Sequence, residues 1–514
     1  MSDLRSLFRD SSHYLAGQIA ALALGFISFP IFTRALTVAD YGMLCIAFQV
    51  AAMATVLSKM GLQNSIQRFY QDHAASTEPG ALQRFYSTLL FGAGLCAMAV
   101  AGLFGAGVLL LPDSQMSPVL KRVLLVGAIL IFTRGMHPIA MNFLRAQRRT
   151  AAFNAFDVTT KAISIAFVVF LFFAWNRTVK TVLIGTVAVE LTAVLILIFR
   201  LLPAGVVSIR AFDRGLFKAA LIFGFPLVGY ELAGVILDSG DRILVQHYMG
   251  FQAVGYYSAG YSMANYVILS LMSPVNLALF PIYMKLWASK GREETQAFLS
   301  RALDNFVMVA MCVLAAVAVT ARDGIIILGS RKLQEAAPLI PVLVLGLVFY
   351  ALHIFFNAGL IIHKKTYTMA KIIVSSAGLN ILLNILLIPR LGLQGAAVAT
   401  LVSYMVFLGL IAWASHAVLP IRVDIRASLR YVGAAVVSAL IVSRIECSPE
   451  ILNVAVRGSL SLVVYGATLW LIDSRFRQLV AAGVQYGAAP FRRESQEPEL
   501  AAAGAIEISS KSVS

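Results

Sequence analysis

The sequence predicts an all-α polytopic membrane protein of about 14 transmembrane helices: two six-helix repeats of the same orientation, with two extra helices at the carboxyl end. Three observations carry this expectation. Hydrophobic residues form 59% of the chain and charged residues only 13%, too few charges to clothe a soluble protein of 514 residues. The charges avoid long apolar blocks of about 20 residues, the length of a helical membrane span. Similar short segments also recur about 213 residues apart, in the same order. Lipid offers no hydrogen bonds to the backbone, so the blocks must be helices or a closed barrel. The absence of period-2 alternation excludes the barrel.

The polar residues 1–14 precede the first apolar block, roughly 14–34, which is too long for a signal-peptide core and lacks a small-residue cleavage site. It therefore reads as a retained first span. Blocks at roughly 42–60, 86–111, 123–143, 155–175 and 181–202 complete the first repeat. The second repeat holds blocks at roughly 217–238, 254–284, 303–321, 336–360, 367–388 and 392–416. Its over-long second block reads as tilted or as extending beyond the bilayer. Blocks at roughly 428–444 and 451–472 lie outside the duplication. The expected organisation is an amino-terminal lobe (1–203), a cytoplasmic linker (204–216), a carboxyl-terminal lobe (217–417), a two-helix unit (418–473) and a largely disordered cytoplasmic tail (474–514).

The net charge of +16 invites a nucleic-acid reading, but the cations cluster in short loops between apolar blocks. With the amino terminus inside, about 27 Lys and Arg face inward and about 11 outward. Both termini are thus expected in the cytoplasm, as are the basic loops at 145–149, 209–218, 285–292 and 363–365. Cys45, Cys96, Cys312 and Cys447 form no CxxC pair, so neither a disulfide framework nor a metal site is expected. No cofactor is expected either. Nucleophile elbow, HExxH and P-loop motifs are absent, which argues against an enzyme.

The duplication is the most informative feature. LTVADYG (36–42) and MGFQAVG (249–255) enter the second and eighth spans alike. GTVAVEL (185–191) resembles GAAVATL (395–401), QRRT (147–150) resembles HKKT (363–366), and His137 matches His353. Six spans per copy give both repeats the same orientation, an arrangement known from transporters.

FPIFTRALTVADYG (29–42), GLQNSIQRFY (61–70), the stretch at 223–264 and LNILLNILLIPRLGLQGAAVATLVSY (379–404) resemble the bacterial polysaccharide biosynthesis, or oligosaccharide flippase, family. That family belongs to the multidrug/oligosaccharidyl-lipid/polysaccharide exporter superfamily. The resemblance implies two six-helix lobes around a central cavity, rocking between inward- and outward-open states. It implies transfer of an undecaprenyl-diphosphate oligosaccharide to the outer leaflet of the bacterial cytoplasmic membrane. Implied partners are the lipid-linked oligosaccharide, membrane lipids, and a polysaccharide polymerase with other assembly proteins; nucleic acid is not among them. A multidrug exporter of the same fold is the first alternative, and a membrane glycan polymerase or ligase the second.

Charges inside spans are costly and mark function by default. Arg134 and His137 share a face of the fourth span and can attract a diphosphate; the competing reading is an Arg134–Glu190 ion pair. Lys161 can meet the diphosphate or snorkel to the surface, and Arg68 can join the cationic set or act as a loop anchor. Glu231 and Asp238, seven residues apart and following Pro226, are candidates with Glu190 for ion coupling and gating. Asp241 and Arg242 read as caps at the outer helix end.

Overall fold

The computed structural model describes residues 24–201 and 207–481. Most of the amino-terminal polar segment and first span, part of the linker and the tail from 482 lie outside the described residues. Among the described residues there is no strand. The helices are α1 (Leu24–Ala35), α2 (Val38–Lys59), α3 (Leu62–Ala74), α4 (Ala81–Leu110), α5 (Pro118–Ala146), α6 (Thr150–Ala174) and α7 (Val179–Ile196). They continue with α8 (Arg214–Ser239), α9 (Asp241–Leu328), α10 (Ile340–Ile362), α11 (Thr366–Leu391), α12 (Leu393–His416), α13 (Ile425–Val442) and α14 (Glu450–Ile472).

Eleven helical runs among the described residues are long and apolar enough to cross a membrane. One of them, Arg214–Leu328, covers three expected spans, so the runs account for 13 of the 14, and α1 is the described end of the first, most of which lies outside the described residues. Two connections expected as loops are helical instead. The charged stretch at 285–301 continues α9, where only Gly250 (φ 81°) and Gly291 (φ 77°) leave helical geometry. Its Lys, Glu, Gln and Ala residues are good helix formers, and glycine alone breaks the run. GLQNSIQRFY likewise forms the amphipathic α3 beyond the left-handed Met60 and Gly61.

Local chemistry places the helix starts. The Thr37 hydroxyl accepts from the Asp40 N–H at 3.1 Å to cap α2, and Ser117 with Pro118 opens α5. Asp213 caps α8 by accepting from the Gly215 and Leu216 N–H groups.

The described chain falls into two compact units. The first runs to Leu303 and resumes over Thr320–Arg422; the second joins Asp304–Val319 to the segment from Val423. In the first unit, α2 packs against α4, α5 and α8, α6 against α7, α8 against α11, and α10 and α11 against α12. A buried cluster of Leu62, Ile66, Phe85, Tyr86, Leu89 and Phe143 ties α3, α4 and α5 together. In the second unit, α13 pairs with α14 through the Ser438 and Ser461 hydroxyls at 2.9 Å, and Arg475 bridges to Asp304 at 2.9 Å.

The repeat is visible in backbone detail. The α5–α6 and α10–α11 turns each hold one non-glycine residue in the left-handed region, Arg148 (φ 57°) and Lys364 (φ 55°), 216 residues apart. Their hydrogen bonds correspond one for one. The Gln147 and Arg149 N–H groups donate to Phe143 and Leu144, as those of His363 and Lys365 donate to Gly359 and Leu360. The LTVADYG and MGFQAVG motifs also meet. A Cβ on Gly42 would stand 1.9 Å from the Phe251 carbonyl oxygen, and one on Gly255 would stand 2.2 Å from that of Val38. Only glycine permits this approach. Beyond the other end of α2, a Cβ on Gly61 would stand 2.0 Å from the Gly224 oxygen of α8.

Candidate functional site

A cavity of ≈ 500 Å³ opens in the first unit among α2, α5, α6, α7 and α8. Its polar lining is Lys59, Arg134, His137, Asp157, Thr160, Lys161, Ser164, Glu190 and Glu231, with Thr55. Five residues singled out in the sequence therefore converge: Arg134, His137, Lys161, Glu190 and Glu231. Helical periodicity explains how α6 contributes, since Asp157, Thr160, Lys161 and Ser164 fall on one face.

The cations come paired. Arg134 donates from Nε to both oxygens of Glu190 at 3.1 and 3.2 Å, and from a terminal nitrogen at 3.0 Å. This is a fork-like contact that Lys cannot reproduce. The Thr133 hydroxyl donates to the same carboxylate at 3.1 Å, and the Arg134 guanidinium lies 5.0 Å from the centroid of Phe48. Lys161 pairs with Asp157 one turn away at 2.7 Å. Lys59 pairs with Glu231, which also accepts from Gln63 Nε2 at 3.1 Å. Three lysine or arginine cations thus face three carboxylates, so the expected cationic wall is formally balanced. His137 adds a ring facing Phe156 at 6.3 Å.

Lys59–Glu231 differs from the other two pairs because it joins the repeats, α2 to α8. The Lys59 side chain is only 11% exposed and that of Glu231 34%. Lys59 was not singled out in the sequence, where it stands at the end of the apolar block 42–60, just before the left-handed Met60 and Gly61. Asp157 was also missed, although its i,i+4 spacing to Lys161 was readable.

The remaining candidates lie elsewhere. Arg68 sits on α3, 59% exposed, and pairs with Asp72 at 3.4 Å. Asp238 accepts from Tyr261 at 2.7 Å, and Arg242 lies over the Tyr261 ring at 4.5 Å. Asp241 is no exposed cap: it is 2% exposed and accepts from the Tyr257 and Thr400 hydroxyls. This polar knot is built on α8, α9 and α12 within the second repeat. Where α5 and α7 carry Arg134 and Glu190, corresponding positions hold Tyr350 and Thr400. His353 likewise sits among Tyr350 and Phe407 rings, whereas His137 lines the cavity. Among the described residues no cluster of His, Cys, Asp and Glu is suited to a metal ion.

A family model described as polysaccharide biosynthesis protein matches residues 31–338. A curated relative, an uncharacterized membrane protein of Methanocaldococcus jannaschii, is 30% identical over 199 residues, a stretch covering 38% of this chain and 38% of that protein. The solved lipid II flippase MurJ, in an inward closed conformation, is similar with a TM-score of 0.68 at 16% identity, over 90% of this chain and 99% of that one. An inward-facing multidrug resistance MATE family transporter of the MOP superfamily gives a TM-score of 0.60 at 12% identity, over 79% and 95% of the two chains. At these identities the structural likeness is one of fold.

Proposed function

Because the chain belongs to the polysaccharide biosynthesis protein family, we propose that it is a flippase for a lipid-linked oligosaccharide carrying an undecaprenyl diphosphate. It works in the bacterial cytoplasmic membrane with both termini in the cytoplasm, and delivers the sugar head to the outer leaflet for surface polysaccharide synthesis. The observation that carries this reading is the cavity lined by paired charges among membrane-spanning helices, with one pair tying repeat to repeat.

The diphosphate binds by exchange. Arg134, Lys59 and Lys161 are held in place by carboxylates before the cargo arrives, and the anionic head takes over their hydrogen bonds. Arg134 offers its planar fork to the phosphate oxygens. Capture of Lys59 releases Glu231, and with it the side-chain tie between α2 and α8. The freed Glu231 then takes up an ion, which couples transport to a gradient. The backbone contacts at Gly42 and Gly61 bracket the cavity, about 28 Å apart along α2 at 1.5 Å per residue. Each must part in turn for the cavity to open to one face and then the other. No bond in the cargo is made or broken.

Deleting the gene in a strain without a second flippase tests this. Surface glycan should be lost while the undecaprenyl-linked intermediate accumulates on the inner leaflet. Normal polymer without accumulation would refute it. A second reading, export of cationic drugs, draws on the three cavity carboxylates. It predicts drug sensitivity with intact surface polysaccharide.

A further inference from the structure

A second cavity of ≈ 290 Å³ lies between α6 and α7, in the same compact unit. Phe156, Ile163, Phe167, Ala188, Thr192 and Ile196 line it, and no charged residue does. Thr159, Thr160 and Thr192 also line it, the Thr192 hydroxyl donating to the Ala188 carbonyl at 2.8 Å, and the rest of the lining is apolar. Ile163 is 52% exposed and Ile196 43%, so its walls are uncovered by protein.

The groove adjoins the charged cavity. Thr160 lines both, Phe156 stacks toward His137, and Val189 of the groove precedes Glu190 of the cavity. An uncharged trough beside a chamber of Arg, Lys and carboxylate matches one kind of molecule. That molecule is an amphiphile whose apolar chain begins directly at a doubly anionic group. A bulk phospholipid has no reason to settle at this junction, because its headgroup belongs at the membrane surface. A lipid whose diphosphate is drawn into the cavity must lay its first isoprenoid carbons alongside, by covalent linkage.

We infer that the α6–α7 groove binds the diphosphate-proximal part of the polyisoprenoid tail, with Thr160 at the junction of tail and head. The inference rests on the flippase reading above. It makes α6 and α7 the lateral entry for the lipid. It also makes Ala188 and Thr192, whose small side chains leave the trough open, the residues that set tolerance for tail bulk.

The test uses the full-length protein in nanodiscs of phosphatidylethanolamine and phosphatidylglycerol. The probe is a polyprenyl diphosphate with a diazirine near its first isoprene unit. Photolabelling should fall on α6 and α7, at Ile163, Phe167 or Ile196. A188W and T192W should cut labelling tenfold or more, while inorganic diphosphate still protects Ser164→Cys from alkylation. Should the tryptophan variants fail to fold, alkylating Ile163→Cys with a bulky maleimide after reconstitution must give the same loss. Labelling on other helices would overturn the assignment. So would equal labelling by a diazirine phosphatidylglycerol that polyprenyl diphosphate does not displace. If neither inorganic nor polyprenyl diphosphate protects Ser164→Cys, the flippase reading itself fails. Protection by inorganic diphosphate without tail labelling of α6 and α7 fails the groove alone.

Discussion

Removing one partner of the Lys59–Glu231 pair should cost far more than removing both. The ammonium is almost wholly enclosed, and the carboxylate keeps about a third of its surface open with Gln63 as a second donor. Two unit charges 4 Å apart attract by about 4 kcal/mol at an effective dielectric of 20, before desolvation is subtracted. Breaking a buried pair by deleting one partner typically costs about 3–5 kcal/mol, chiefly because the survivor is left buried and unpaired. The partial exposure of Glu231 lowers that range for Lys59→Met, where the surviving carboxylate retains Gln63 and some solvent; about 1–2 kcal/mol is expected. Glu231→Gln strands the more deeply buried ammonium and should cost about 2–4 kcal/mol. The double variant should lie within about 1 kcal/mol of wild type, a coupling of at least about 2 kcal/mol by double-mutant cycle. Thermal unfolding of purified protein in one detergent measures the stability terms. Spin-label distances between α2 and α8 measure the conformational one. Because the pair joins the repeats, 2 kcal/mol corresponds to an approximately 30-fold shift between joined and parted states. Additive single and double variants, with unchanged distances, would refute the idea that this pair links the two halves energetically.

Arg134→Ala should abolish most glycan export, and Arg134→Lys should rescue only part of it, since a point charge cannot reproduce the fork seen on Glu190. Full recovery on adding Glu190→Gln to Arg134→Ala would assign the pair to structure alone. Gly42→Val and Gly255→Val should each force α2 and α9 apart and destabilise the joined state by more than about 2 kcal/mol. Alkylation of cysteines placed on the two helices reads this, and unchanged reactivity would contradict it. Asp241→Ala removes the acceptor for Tyr257 and Thr400 and should lower stability by about 1–3 kcal/mol. Expression level and unfolding temperature test this. Cysteines introduced at 148 and 364 should resist an impermeant reagent in intact cells and react in inverted vesicles; the reverse would invert the proposed topology.

The spans were legible because lipid imposes a crude rule, an apolar block of about 20 residues, and all but the over-long block at 254–284 keep to it. The duplication was legible in short motifs whose backbone roles the structure makes concrete, such as the left-handed Arg148 and Lys364. The Arg134–Glu190 pair was readable as an alternative because both are costly charges in mid-span. Lys59–Glu231 was not readable. Its partners are 172 residues apart and meet only through packing of one repeat on the other. Asp238 shared a helical stripe with Glu231, but seven residues advance a helix by about 10.5 Å. That rise carries it out of the cavity lining and onto Tyr261. The stretch at 285–301 was taken for a loop because charge stood in for irregularity, whereas its residues favour helix.

The Gly42 and Gly255 contact follows the symmetry of the repeats. Val38 corresponds to Phe251 and Gly42 to Gly255, and each glycine presses on the other copy's partner residue. Such reciprocity marks an isologous interface, in which one surface patch recognises itself across a two-fold axis. The crossing therefore has the form that two copies of one repeat would make as a homodimer. Holding both copies in one chain makes the pairing independent of concentration and frees the halves from being identical. The first half carries Arg134 and Glu190 where the second holds Tyr350 and Thr400, and Lys59 where the second holds Met272. A strict homodimer would have to carry every cavity charge twice, facing its own image across the axis. The single chain instead holds its charged chamber mainly on α2, α5, α6 and α7 of the first half, with Glu231 and Val235 from the second, whose corresponding positions carry Tyr350 and Thr400.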